Sequence, residues 1–265
     1  MKRWEKHTWV ICAYKVSEYL EDAIKSVKSQ TIKSNIIMVT STPNDHIQKL
    51  SEKYEIPLFV NNGKAGIAGD WNFGYQKAST NIVTICHQDD IYKKNYLANI
   101  KRMIDKDQST LIAFSGYGEL RDGKEVYSNT LLNIKKLMLF PFRIGIFQKS
   151  KWVRRRILSM GSPICCPAVT FVKSNLPSVV FHDNFKSNLD WEAWEIVSKR
   201  KGRFSYVYKP LVLHRIHEES TTSEIIGGSL RGKEDFAMFC KFWPKCIAKI
   251  ICKQYVKSER SNKIK

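Results

Sequence analysis

Residues 87–90 read His-Gln-Asp-Asp and follow the apolar run Asn81-Ile82-Val83-Thr84-Ile85-Cys86. Adjacent carboxylates repel each other and are ordinarily kept where a cation bridges them. An acidic turn with Asp90 capping the next helix would use the same residues. The run in front favours binding. A short stretch of Ile, Val and Thr is a buried strand, and open α/β sheets bind ligands at the carboxyl ends of their strands. Much further along, Asp190 heads Asp190-Trp191-Glu192, which reads as a helix start. A carboxylate there can accept a proton, although a first-turn acid also serves as a cap. Arg215 carries a planar fork suited to phosphate oxygens, and Lys64, in a glycine-flanked loop, is a second cation for that task. His217, a lone histidine after a short strand, reads by itself as structural.

The elements that position these residues are legible from periodicity. Strands are expected at 8–14, 35–40, 57–60 and 81–86. Helices are expected at 17–30, from the turn at 41–45 to 54, and at 70–79. Repeated βα units of this length predict a parallel sheet with right-handed crossovers, the architecture of a nucleotide-binding half-domain. The second half is less regular, with a helix at 94–105, a strand at 111–115, a helix at 190–200 and short strands at 204–208 and 211–214 around Pro210. The expected division is a catalytic domain over 1–228, with halves 1–105 and 106–228, and a basic helical extension over 229–265.

Composition narrows the partners. A net charge of +19 calls for an anion, whether nucleic acid, a membrane surface or a phosphorylated substrate. No zinc-ligand spacing, RNA-recognition motif or helix-turn-helix signal supports nucleic acid. The basic residues cluster beside apolar ones at 131–157 and in the extension, where Lys241, Lys245, Lys249, Lys253 and Lys257 recur every four residues. Such a stripe fits a helix lying on an anionic membrane, or one that packs its apolar face on the domain and solvates its lysines. No stretch reaches the roughly 18 apolar residues of a membrane span, and Tyr14-Lys15 ends the first apolar run too early for a signal peptide. Seven cysteines without metal-ligand spacing predict a reduced, cytoplasmic protein, with Cys165-Cys166 as packing residues rather than a redox pair.

Five segments, in order, resemble the family 2 glycosyltransferases of the inverting GT-A fold. They are Cys12-Ala13-Tyr14-Lys15 with the helix through Gln30-Thr31, then Asn62-Gly63 with Gly69-Asp70-Trp71-Asn72, then His87-Gln88-Asp89-Asp90. Asp190-Trp191-Glu192-Ala193-Trp194 and the closing segment from His214-Arg215-Ile216-His217 to Thr222 complete the set. The resemblance implies a Rossmann-like, mostly parallel central sheet flanked by helices. It also implies transfer of a sugar from a nucleotide-diphosphate donor, a UDP-sugar first and dTDP- or GDP-sugars next, to a saccharide or lipid-linked saccharide. Bacterial surface-polysaccharide assembly is the process implied. Asp90 matches the metal ligand of the family's Asp-x-Asp element, with His217 completing the shell of Mn2+ or Mg2+. Ala13, Tyr14, Lys64, Asp70, Asp89 and Arg215 fall around the nucleotide sugar, and Asp190 matches the catalytic base.

Two departures stand out. Gln88 replaces a first Asp found in many members, and the second strand ends Val39-Thr40-Ser41-Thr42-Pro43, without the carboxylate that reads uracil. Asp70 is the residue available to take over part of that contact. The competing readings are a sugar nucleotidyltransferase, for which Ala13-Tyr14-Lys15-Val16-Ser17 lacks the glycine-rich loop, and a basic membrane-binding or degenerate protein without activity.

Overall fold

The computed structural model describes residues 6–217 and 229–260. Four parallel strands form the first part of the sheet in the order β3-β2-β1-β4: β1 (His7–Cys12), β2 (Asn35–Thr40), β3 (Leu58–Val60) and β4 (Ile82–His87). Trp9, Val10, Ile11, Val83 and Ile85 are buried, as strands covered on both faces require. The covering helices are α1 (Leu20–Lys28), α2 (Asp45–Lys53) and α3 (Ile67–Lys77). Leu20, Ile24 and Val27 form the buried stripe of α1, as their spacing predicts. Asn44 caps α2 by accepting from the Ile47 N–H at 3.1 Å.

Beyond β4 the sheet becomes mixed. β5 (Ile91–Tyr92) and α4 (Tyr96–Lys106) lead to β6 (Thr110–Arg121), which runs six strand positions past the expected 111–115 core toward a hairpin with β7 (Lys124–Val126). Asp122 and Gly123 turn that hairpin with φ of 47° and 75°, the left-handed pair a two-residue turn demands. After α5 (Thr130–Leu139) and α6 (Lys151–Leu158), β8 (Val169–Val172) inserts antiparallel between β4 and β6. α7 (Leu189–Ser198) precedes β9 (Arg203–Ile216), which continues through Pro210 as one strand parallel to β6. The two short strands expected there are joined because the β6 register slips between Ser115 and Gly116, where a bulge takes up the proline. Gly116 leaves room for it, since a Cβ would lie 2.9 Å from the Tyr208 carbonyl oxygen.

The chain closes with α8 (Ser229–Cys240) and α9 (Lys245–Arg260). The single helix implied by the lysine stripe is divided at Pro244, which cannot continue a helix interior. Both helices pack on the domain. Met238, Phe239, Ala248 and Cys252 belong to the same buried cluster as Trp191, Trp194 and Phe171. Phe239 meets Trp191 edge-on at 5.0 Å, Tyr255 packs on both rings, and the Trp243 indole N–H donates to the Ser159 carbonyl at 2.8 Å. None of the described helices is long and apolar enough to cross a membrane.

Candidate active site

The carboxyl ends of β1, β2 and β4 open on one edge of the molecule, and the turn after β4 holds the acidic pair. β5 pairs antiparallel with β9, Ile91 opposite Leu213, and this pairing carries His214 and Arg215 alongside Asp90. The His214 Nδ1 lies 2.9 Å from Asp90 Oδ1, and the Arg215 backbone N–H donates to the same oxygen at 3.0 Å. Asp90 is completely buried. Its Oδ2 has no hydrogen-bond partner and lies 3.4 Å from the His87 Nδ1. The His87 ring stacks on Trp71, centroids 4.9 Å apart and planes 13° from parallel, and its Nε2 is buried without a partner.

Ligand atoms of His87, Asp89 and Asp90 lie within 4.8 Å of one another. A buried carboxylate oxygen and an imidazole nitrogen left unpaired are costly unless something joins them. A divalent cation touching all three residues would do so, and the donor set fits one. His217, expected in the metal shell, is placed one step outward. Its Nε2 is 3.0 Å from Asp89 Oδ2 and its ring packs on Tyr19, so it orients Asp89.

Electrostatics separate these groups. Burial would raise the Asp89 carboxyl, but the His217 hydrogen bond and the His87 and His214 imidazoles hold it below the usual carboxylate range. Burial would likewise lower His214, yet the charge and hydrogen bond of Asp90 push it up to about 9.

The nucleotide side is built on backbone. Ala13 is buried and its N–H donates to the Val39 carbonyl at 2.9 Å. The Tyr14 N–H donates to Gln88 Oε1 at 2.8 Å, and the Lys15 N–H to Thr42 Oγ1 at 2.7 Å. Gln88, in place of a carboxylate, thus fixes the loop after β1. Asp70 accepts from the Ser41 hydroxyl at 2.7 Å and from the Asn61 amide at 2.8 Å. This carboxylate stands at the ends of β2 and β3, beside the position where β2 lacks one. Arg215 is used within the protein. Its Nε donates to the Asp89 carbonyl at 3.0 Å, Nη2 reaches Asp22 at 3.2 Å, and the guanidinium lies over Tyr19 at 4.4 Å. It therefore braces the Asp89-Asp90 turn. Lys64 pairs with Asp183 at 2.7 Å on the rim of a cleft of about 370 Å³, lined also by Asn61, Gly69, Asn72 and Phe181.

Asp190 stands in the first turn of α7, with Oδ1 accepting the Trp191 N–H at 2.7 Å. Burial raises its carboxyl above the ordinary value, opposed by that bond and by the charge of Lys135. The charges of Asp90 and Asp190 both reach the Cys165 and Cys166 thiols, which are free and pushed up by burial, as inert packing residues are. Glu192 points away into the protein and pairs with Lys241 at 2.6 Å, which also removes Lys241 from the lysine stripe.

The loop presenting Asp190 is gripped by α8. Glu234 accepts the N–H groups of Lys186 and Ser187, each at 2.8 Å, and Asp235 accepts from the Asn188 amide at 2.8 Å. Trp71, His87, His214, Glu234 and Asp235 were not singled out from sequence. His87 and His214 each open a motif already noted, and Glu234-Asp235 is an acidic pair in an otherwise basic extension. Thr222 and the rest of the closing segment after His217 lie outside the described residues.

The model of the family described as Glycosyl transferase family 2 matches residues 8–161, more than half of the chain. An uncharacterized glycosyltransferase of Rickettsia typhi is 24% identical over 229 residues, covering 81% of this chain and 65% of the relative. Glycosyltransferase GlyA of Streptococcus pneumoniae is 25% identical over 128 residues, 46% of this chain and 18% of that protein. Among solved structures, S. aureus TarS 1-349 in complex with UDP-GlcNAc superposes with a TM-score of 0.63 at 16% identity, covering 97% of this chain and 73% of that one. The mannosyltransferase PcManGT of Pyrobaculum calidifontis, in complex with GDP-Man and Mn2+, gives 0.63 at 12% identity, covering 95% and 69%. At these identities the likeness is one of fold, the GT-A arrangement of a mixed sheet between helices. This chain is a member of glycosyl transferase family 2.

Proposed function

We propose that this chain is an inverting glycosyltransferase that moves a sugar from a nucleotide-diphosphate donor to an acceptor hydroxyl. The observation that carries the reading is the His87/Asp89/Asp90 cluster at the carboxyl end of β4, with a buried Asp90 oxygen that has no hydrogen-bond partner. The donor binds over the β1 and β2 ends, with the Tyr14 loop and Asp70 at the nucleotide and Asp89 at the sugar or ribose. A divalent cation, Mn2+ or Mg2+, held by Asp89, Asp90 and His87, would neutralise charge on the departing diphosphate.

Asp190 accepts the proton of the acceptor hydroxyl as that oxygen bonds to the anomeric carbon and the bond to diphosphate breaks. His214 and the Arg215 N–H hold one Asp90 oxygen in place. TarS with UDP-GlcNAc and PcManGT with GDP-Man support a nucleotide-sugar donor. A UDP-sugar is the donor we favour, and a saccharide or lipid-linked saccharide of a surface polysaccharide the acceptor. We assign the protein to the cytoplasm, on the seven unpaired cysteines.

The test is Asp190→Asn. Transfer from the nucleotide sugar that calorimetry selects in the presence of Mn2+ should fall by about 100-fold or more, with the donor affinity unchanged. Turnover close to that of the unaltered protein would remove Asp190 from the chemistry. Absence of binding to UDP, dTDP or GDP diphosphates would overturn the donor site itself.

A further inference from the structure

Seven of the sixteen large apolar side chains that are exposed among the described residues fall within residues 134–152. Leu137 is 73%, Ile146 75% and Trp152 71% exposed, and Phe140 and Ile144 stand beside them. The segment is not a frayed loop. Leu139 and Phe142 are buried beneath it, and the buried Gln148 donates to the Phe142 carbonyl at 2.6 Å while accepting from Arg203 at 2.6 Å. A firmly seated backbone thus holds a cluster of aliphatic and aromatic side chains outward, and such patches mark interaction surfaces.

Its charge says which surface. Residues 126–182 hold nine Lys and Arg and no Asp or Glu. Three of those arginines serve the protein. Arg154 donates to the Ser198, Arg200 and Gly202 carbonyls, Arg155 pairs with Glu195, and Arg156 lies over Trp243. Lys136, Arg143 and Lys151 remain exposed among the apolar residues. α5 itself has two sides. Lys135 turns inward to the Tyr117 hydroxyl at 3.0 Å, on the side whose charge reaches Asp190, whereas Leu137 faces out. Exposed aliphatic side chains among cations suit the boundary between lipid headgroups and acyl chains. Four of the seven, Ile134, Leu137, Ile144 and Ile146, are aliphatic, whereas a nucleic-acid surface relies on aromatic stacking.

We propose that residues 134–152 form a docking face for an anionic lipid bilayer, with Leu137, Ile146 and Trp152 entering the interface and Lys136, Arg143 and Lys151 at the headgroups. Lys136 and Leu137 of this face lie on α5 beside Lys135, and Lys151 and Trp152 lie at the start of α6. α9, by contrast, buries Ala248 and Cys252 on the domain and is not required for docking.

The experiment is co-sedimentation of the full chain, without substrates, with vesicles of phosphatidylcholine alone or mixed with phosphatidylglycerol. The unaltered chain is expected to bind the mixed vesicles and not the neutral ones. Leu137→Glu/Ile146→Glu/Trp152→Glu and, separately, Lys136→Gln/Arg143→Gln/Lys151→Gln should each weaken binding at least about ten-fold, with the melting temperature as a check on folding. Lys245→Gln/Lys249→Gln/Lys253→Gln should leave it unchanged. The proposal is overturned if the unaltered chain ignores phosphatidylglycerol, or if both patch variants bind undiminished. It is also overturned if only the α9 variant loses binding, or if the chain is a dimer that the apolar substitutions dissolve.

Discussion

At the scale of single residues, carboxylates of one chemical kind are driven apart by their surroundings. Asp89 is surrounded by imidazoles that hold it ionised, while Asp190, with a single backbone donor, is raised by burial. Pairs of acids separated in this way usually divide binding from proton transfer. A base must be ionised to act. As the proposed base, a raised Asp190 is fully active only above a pH higher than an ordinary carboxylate needs, and kcat should fall as pH drops through that raised value. Lys135→Met removes a positive charge that opposes the shift, so it should move the acidic limb of the kcat profile to still higher pH. An acidic limb unmoved by that substitution would show that another group limits the rate.

At the scale of elements, the unexpected relation is between α8 and α7. Asn188 precedes α7, yet its side chain makes no cap and its amide is held by Asp235. Glu234 satisfies the N–H groups of Lys186 and Ser187, which lie just ahead of the helix. The Ser187 hydroxyl donates to it as well, so one carboxylate organises the approach to Asp190. Glu234→Gln keeps the size and loses the charge and one acceptor. It should lower stability by about 1–2 kcal/mol in urea unfolding. It should also lower kcat several-fold with donor affinity unchanged in calorimetry. A normal kcat in the folded variant would confine Glu234 to stability.

At the scale of the whole molecule, the C-terminal helices complete the core. Trp191 is wholly buried between Phe239, Tyr255 and the Leu158 carbonyl, which accepts its indole N–H at 3.0 Å. Removing one such buried aromatic side chain costs about 3–5 kcal/mol, against a total stability of about 5–15 kcal/mol for a domain. A chain ending at residue 228 should therefore melt far lower or lose its cooperative transition, as read by calorimetry. An unchanged melting temperature would show that the extension is an independent appendage. Membrane binding is for the same reason tested with surface substitutions and not with this truncation.

Much of this was legible in the chain. Apolar runs located β1 to β4, because strands covered on both faces cannot disguise their hydrophobicity, and the ordered motifs put Asp90 just after β4 and Asp190 at a helix start. The Asp122-Gly123 turn was legible in principle, since left-handed φ at both positions selects those residue types. Other features depended on contacts distant in sequence. His214 meets Asp90 only because β5 and β9 pair, Asp70 reaches the end of β2 only because α3 packs behind it, and Glu234 serves α7 across 47 residues. Local pattern records which face of an element is apolar, and so it determined the elements and the chemistry carried at their ends. Which polar atoms meet across elements is decided by the register of strands and the docking of helices, and these exist only once the core has closed.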